Sequence, residues 1–378
     1  MIDIFFMILY IHNDGYKWMS SFNFHSQDNS DQISYKNEFN VSGEGVITMA
    51  KWKHKKMLSL GVTEWNQWRK DNPDIEPILR SMHLYRADLE ASNLEGADLS
   101  EACLYDANLK GANLKGANLY RAKLSGANLI GANLEGADLW QADISHHTSK
   151  AVNLEGANIK GANLFCTCLF NAILKNADLS KANLSNASLR GADLEGANLS
   201  EANLYGADLK DTKLKGANLS KTKLSSANLS RADLEGANLK SANIIGGTLE
   251  SCNLKNVDLS DAKLNGANIK SADLRGANLE DVDLRIWKSK GANFEGANLK
   301  GANLKGGNFK GVKFSYADLN GANLKRAKLK NVDLRYAVLT GVNIEGAKLK
   351  GANLTGANLE GVDLNKAKLG RSGRCVKT

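Results

Sequence analysis

From Leu84 to Leu369 the chain places an apolar residue at every fifth position, in one unbroken frame of 58 positions with only two exceptions. Ile stands at 144, 159, 244, 269 and 344, Phe at 294, 309 and 314, Ser at 149 and 289, and Leu everywhere else. Two residues before each lies a small residue, usually Ala. Asn or Asp sits between them, and a variable residue and then most often Gly follow. A period of five excludes the ordinary elements. On an α-helix five residues advance roughly 500°, which scatters the Leu side chains over every side. In one straight strand an odd period sends successive Leu to opposite faces. One apolar interior forms only if the chain turns a corner every five residues. Ala and Leu then point inward together, and the next two residues turn, where Gly tolerates a positive φ.

Four such corners close a square coil of 20 residues, and residues 20 apart stack at roughly 4.8 Å, the spacing of hydrogen-bonded strands. The 58 repeats make about 14.5 coils, a stack of roughly 70 Å. Both prolines, Pro73 and Pro77, precede the repeat, where they remove no ladder donor. The sequence therefore predicts an all-β solenoid, a four-sided parallel β-helix.

The A(D/N)LxG unit, in frame over residues 81–370, resembles the pentapeptide-repeat proteins. The resemblance implies a right-handed quadrilateral β-helix and a noncatalytic interaction role. The segment "GVTEWNQWRKDNPDIEP" is similar to the lead-in of many cyanobacterial members. The family also includes proteins that protect a topoisomerase by mimicking duplex DNA. The expected organisation is a poorly ordered segment (1–50), a short helical cap (51–80), the repeats (81–370) and a tail (371–378). Thr63 is positioned to N-cap a helix ending at Asn72-Pro73, and Trp65 and Trp68 to cover the open first coil. The C-terminus shows no comparable cap, so the last coil is left to fray or to pair with a second copy. Recognisable organisation begins just after Met49, which makes Met49 a candidate start.

The chain carries a formal charge of +8, which permits an anionic partner. Five scattered cysteines argue against a disulfide scaffold and fit a reducing, cytoplasmic setting. "IDIFFMILYI" is too short to span a bilayer and lacks the flanks of a signal peptide.

Stacking with a period of 20 sorts the outer surface into four sides. One column reads Glu95, Lys115, Glu135, Glu155, Lys175, Glu195, Lys215, Glu235, Lys255, with signs that mostly alternate as on a solvated structural side. The side assigned to Leu89, Leu109 and Leu129 is basic from residue 190 onward. Its candidate interaction residues are Arg190, Lys210, Arg231, Lys270, Lys288, Lys290, Lys310, Lys328, Lys330, Lys348 and Lys350, with Lys368 beyond them. Only Asp208, Asp211 and Glu250 oppose them. Such a stripe suits nucleic-acid phosphate, an anionic surface or an acidic partner; the plainer reading is a solvated side whose long heads splay apart. A third side is assigned the outward aromatics Tyr85, Tyr105, Phe165 and Tyr205.

No phosphate loop, dinucleotide fingerprint or HExxH motif is present, and no cofactor is implied. Cys166 and Cys168 lack the second pair that a zinc site needs. His146, His147 and Ser149 superficially suggest a nucleophile and base, but no fixed carboxylate orients them. The pentads "SHHTS" and "RIWKS" each lose the inward Leu, and His147 and Trp287 lie 140 residues apart, a whole number of coils. They are therefore placed on the basic side, as two outward bulges at His146, His147, Ser149 and at Trp287, Ser289 that keep the five-residue register. The favoured function is a noncatalytic scaffold that engages a protein partner. Binding of nucleic acid or an anionic surface through the basic side is the alternative. Duplex mimicry fits poorly with a charge of +8.

Overall fold

The computed structural model describes residues 8–12, 15–19, 43–144, 151–285 and 289–369. The chain divides into two compact units, Met1–Glu44 and Gly45–Thr378. In the first, strands β1 (Ile8–His12) and β2 (Gly15–Met19) form an antiparallel hairpin with Ile8 opposite Met19. Helix α1 (Gly43–Ser59) begins ahead of the boundary expected at residue 50, and α2 (Val62–Asp71) follows it.

From Ile78 onward the second unit is a stack of coils joined by parallel bridges, such as Ile78 to Asp98 and Asp98 to Asn118. Each pentad reuses one local device. In Leu94–Ala97 the Ala97 N–H donates to the Leu94 carbonyl at 3.0 Å, and Gly96 takes φ 65°. A positive φ at the third place of a turn suits Gly, yet Asp106 (φ 55°) and Arg231 (φ 61°) adopt it as well. Tertiary stacking overrides the local preference there.

The Asn between the two inward residues works outside the coil. Asn133 Oδ1 accepts from the Glu135 N–H at 3.1 Å, while Asn133 Nδ2 donates to Asn113 Oδ1 of the preceding coil at 3.2 Å. One side chain thus closes its own corner and ties two coils together, which is why this place is Asn or Asp. Inside, the Ala and Leu columns are almost fully buried. Polar residues at the small place satisfy themselves locally: the hydroxyls of Ser92 and Thr222 each donate at 2.7 Å to the carbonyl three residues back.

Helix α2 closes the N-terminal end. Its N-cap is Gly61 (φ 124°), not the expected Thr63, which lies inside the helix; Asn72 ends it, as expected. The helix supplies hydrogen bonds that a preceding coil would have made. The Trp65 Nε1–H donates to the Asn93 carbonyl at 2.8 Å, and Asn66 Oδ1 accepts from the Asn93 N–H at 2.7 Å. Arg69 Nη2 donates to the Glu95 carbonyl at 2.8 Å. Buried His54 of α1 accepts the Ile78 N–H on Nδ1 at 2.9 Å and lies 5.1 Å from the Trp68 ring. Trp65 is fully buried over the first coil. At the other end a 3-10 turn (Leu364–Lys366) is the last element, and Leu359, Val362, Leu364 and Leu369 are only partly buried.

The coil length of 20 fails once. Asn128 bridges Asn153, Asn133 bridges Asn158, Asp138 bridges Asn163 and Asp143 bridges Cys168, each pair 25 residues apart. Before and after, the spacing is 20. One pentad between Ile144 and Ala151 is therefore surplus to the coil, and register is not kept across it, contrary to expectation. Every side changes its sequence address at this point. The Leu84, Leu104, Leu124, Ile144 side continues with Leu169 and Leu189. The Leu89 side continues with Leu154, the Leu94 side with Ile159 and the Leu99 side with Leu164.

Candidate interaction face

The shifted address rearranges the surface. Lys270, Lys290, Lys310, Lys330 and Lys350 do stack, since all lie beyond the surplus pentad; the Ser271 N–H, for example, donates to the Lys290 carbonyl at 2.9 Å and the Asn331 N–H to the Lys350 carbonyl at 3.0 Å. They stand on the Leu84 side, however, not the Leu89 side. Toward the N-terminus their column runs through Lys210, Arg190 and Phe170 to Tyr105 and Tyr85. His146, His147 and Ser149 lie outside the described residues, as do Trp287 and Lys288, so the two outward bulges expected there do not come into view. Their shared side is corrected nonetheless, because the "SHHTS" pentad is surplus to the coil and belongs to no side.

Ser289 is described, and it is inward and buried at the Leu place, with its hydroxyl donating to the Asn308 carbonyl. Its neighbours fill the missing volume. Phe294 and Phe314 stack at 4.9 Å, and Phe309 meets Phe314 edge-on at 5.7 Å. Gly307 makes room for them: a Cβ there would fall 2.4 Å from Phe309 Cε2. The signal was in the sequence, as a Ser, a Gly and three Phe within 26 residues, but only the stacking relates them.

Electrostatics divides the basic column in two. In its first part acids answer the bases. Arg231 forms a two-pronged pair with Asp211 (Nε to Oδ1 2.6 Å, Nη2 to Oδ2 2.7 Å), Arg190 lies 3.9 Å from the same carboxylate, and Lys270 Nζ reaches Glu250 at 2.8 Å. The Arg231 hydrogen bond holds the Asp211 carboxyl below its ordinary range. In the second part Lys290, Lys310, Lys328, Lys330, Lys348 and Lys350 are all exposed, and none has an ion-pair partner among the described residues. The contrast with other sides is local chemistry. Arg275, Arg285 and Arg335 each follow an inward Leu preceded by Asp, and each grips that Asp with Nη2–Oδ2 distances of 2.6, 2.5 and 2.8 Å. On the basic side the place of that Asp is taken by Asn308, Lys328 and Lys348, so no carboxylate is within reach.

The expected aromatic side also splits. Tyr85 and Tyr105 belong to the Leu84 side. Phe165 and Tyr205 belong to the Leu99 side, where Phe165 joins Tyr120 and Trp140, residues the sequence reading missed. The Tyr120 and Trp140 rings lie 5.2 Å apart and Trp140 and Phe165 6.4 Å, a stack that crosses the long coil. Beside that coil an open depression is lined by Asn108, Gly126, Asn128, Ile130, Ala151 and Ile173. The alternating column is likewise two columns: Glu95, Lys115 and Glu135 stand on the Leu94 side, Glu155 and its successors on the Leu89 side.

Among the described residues no group of three His, Cys, Asp or Glu side chains converges as a metal site. Burial pushes the Cys252 thiol up to about 12, which makes it inert at neutral pH. No helix among the described residues is long and apolar enough to cross a membrane.

The family model for pentapeptide repeats matches residues 83–119, 102–141, 177–216, 217–256, 252–285, 292–331 and 333–371. No curated protein matches the sequence. Among solved structures, HetL, a pentapeptide repeat protein involved in heterocyst differentiation regulation from the cyanobacterium Nostoc sp. strain PCC 7120, is 34% identical. The match covers 67% of this chain and 92% of HetL, with a TM-score of 0.24. A pentapeptide repeat protein from the Arabidopsis thaliana thylakoid lumen is 30% identical over 26% of this chain and 68% of its own, with a TM-score of 0.26. QnrB1, a plasmid-mediated fluoroquinolone resistance protein, is 20% identical over 55% of this chain and 88% of its own, with a TM-score of 0.28.

Proposed function

The chain belongs to the pentapeptide-repeat family, and we propose that it is a noncatalytic interaction module that presents its outer sides to a macromolecular partner. One observation carries this reading: the interior is filled from Leu79 to Leu354 by buried Ala and Leu columns, so the variable chemistry is all on the outside. Residues that differ from coil to coil are the outward ones, and they segregate by side into charge-paired, aromatic and unpaired basic columns. Repeat architectures recognise partners through such surfaces. Duplex mimicry, in the manner of the topoisomerase protectors, requires outward acidity along the length. The charge of +8 and the unpaired lysines run against it.

The test is capture of a stoichiometric partner by the full chain and by variants altered one side at a time. Suitable sets are Lys290, Lys310 and Lys330 to Gln, Tyr120 and Trp140 to Ser, and Lys115 and Lys160 to Gln. Loss of capture in one set, with thermal unfolding unchanged, is the expected result. Equal capture by all sets would overturn the reading.

A further inference from the structure

We propose that the column from Lys290 to Lys350 docks on an anionic lipid surface. The proposal rests on the interaction-module reading and names the partner of one side. Four coils in succession place exposed lysines at 290, 310, 330 and 350, and Lys328 and Lys348 flank them on the same side. None of these six has an ion-pair partner among the described residues, although arginines elsewhere on the surface are tied to their own Asp. Like charges stacked at roughly 4.8 Å repel one another, and an anionic counter-surface relieves that repulsion.

The chemistry of the side selects among polyanions. From Ser188 to Lys350 its described outward residues include no aromatic or aliphatic side chain. Protein interfaces concentrate aromatics and Arg at their centres and are depleted in Lys, the reverse of this composition. Single-stranded nucleic acid is held by stacking on aromatic rings, which are absent here. Reading a duplex requires an element that enters a groove, and a column of short strands offers none. A duplex backbone also passes a straight line once per turn of about 34 Å, whereas this column is roughly 14 Å long. A layer of anionic headgroups puts charge beneath every lysine at once. Because the contact is electrostatic and superficial, it weakens when the screening length drops to a few ångström.

The experiment is co-sedimentation of the full chain with vesicles of phosphatidylcholine and phosphatidylserine, against pure phosphatidylcholine vesicles and a 30-base-pair duplex. The expected result is binding to the serine-containing vesicles alone at low salt, lost at 1 M salt. Substituting Lys290→Gln, Lys310→Gln and Lys330→Gln together lowers the partition on the order of a hundredfold. A control with Lys110→Gln, Lys115→Gln and Lys215→Gln, lysines paired with Glu90, Glu135 and Glu235 on other sides, leaves it within a few-fold. Unchanged partition in the first variant, equal binding to neutral vesicles, or tighter binding to the duplex overturns the lipid assignment. If partner capture in the side-by-side test persists while vesicle binding fails, only the lipid assignment falls.

Discussion

At the scale of single residues, the interior answers each irregularity with a neighbour. Ser289 removes a Leu from the core, its hydroxyl finds the Asn308 carbonyl, and three phenylalanines take up the space. Gly307 is the residue that lets Phe309 fit, since its turn-free backbone needs no special φ and only the 2.4 Å approach of the ring forbids a Cβ. Gly307→Ala is therefore expected to destabilise the fold by about 1–3 kcal/mol through overpacking. Phe309→Leu in the same chain should recover most of that loss. A double-mutant cycle by chemical denaturation measures the coupling, and additive effects would show that the ring does not lie over residue 307.

At the scale of elements, the two helices stand in for a missing coil, and one of their contacts is sensitive to pH. Burial, and then the neighbouring Lys53, push the His54 imidazole below its ordinary value, and its Nδ1 accepts the Ile78 N–H only when unprotonated. The unfolded chain, with the higher pKa of about 6.5, binds the proton first as pH falls. The His54 contribution is thus present above pH 6.5 and is lost as pH drops from there toward the lower folded value. The melting temperature, followed by Trp fluorescence, should fall between pH 7.5 and 5.5. His54→Asn, which keeps an acceptor that does not titrate, should flatten that fall; an identical fall in the variant would exclude His54 as the cause. The surplus pentad gives a second expectation at this scale. Deleting residues 145–149 leaves a coil of 20 in which Lys150 and Ala151 occupy the turn, so the melting temperature should change by no more than a few degrees. Deleting residues 175–179 instead removes a full side and a buried Leu, with a loss of at least about 2–5 kcal/mol. Equal damage from the two deletions would contradict the 25-residue coil.

At the scale of the repeat column, the sequence makes the cross-section legible and conceals the face assignment, for one physical reason. A period of five fixes the corner, and corner geometry with strand spacing fixes the four-sided stack, so Ala97, Leu99 and their repeats are correctly read as core. The surplus pentad is as long as a repeat. It leaves the five-residue frame intact from Leu84 to Leu369 while moving every later residue by one side, so counting by 20 misassigns all columns that cross it. The lysine column survived because it lies wholly beyond residue 150, whereas the Tyr120, Trp140 and Phe165 stack stayed hidden because it straddles the shift. Helix α1 and the hydrogen bonds of Asn66 carry no repeating signal and depend on tertiary contact alone. The face assignment underlies each functional statement made for this chain, and disulfide trapping tests it directly. In a background free of native cysteines, Asp138→Cys with Asn163→Cys places two thiols on bridged positions of adjacent coils, within disulfide reach. Asp138→Cys with Asn158→Cys is the pair that a 20-residue coil would join. Rapid, near-complete oxidation of the 138–163 pair and not of the 138–158 pair is the expected result; the opposite preference would contradict the account.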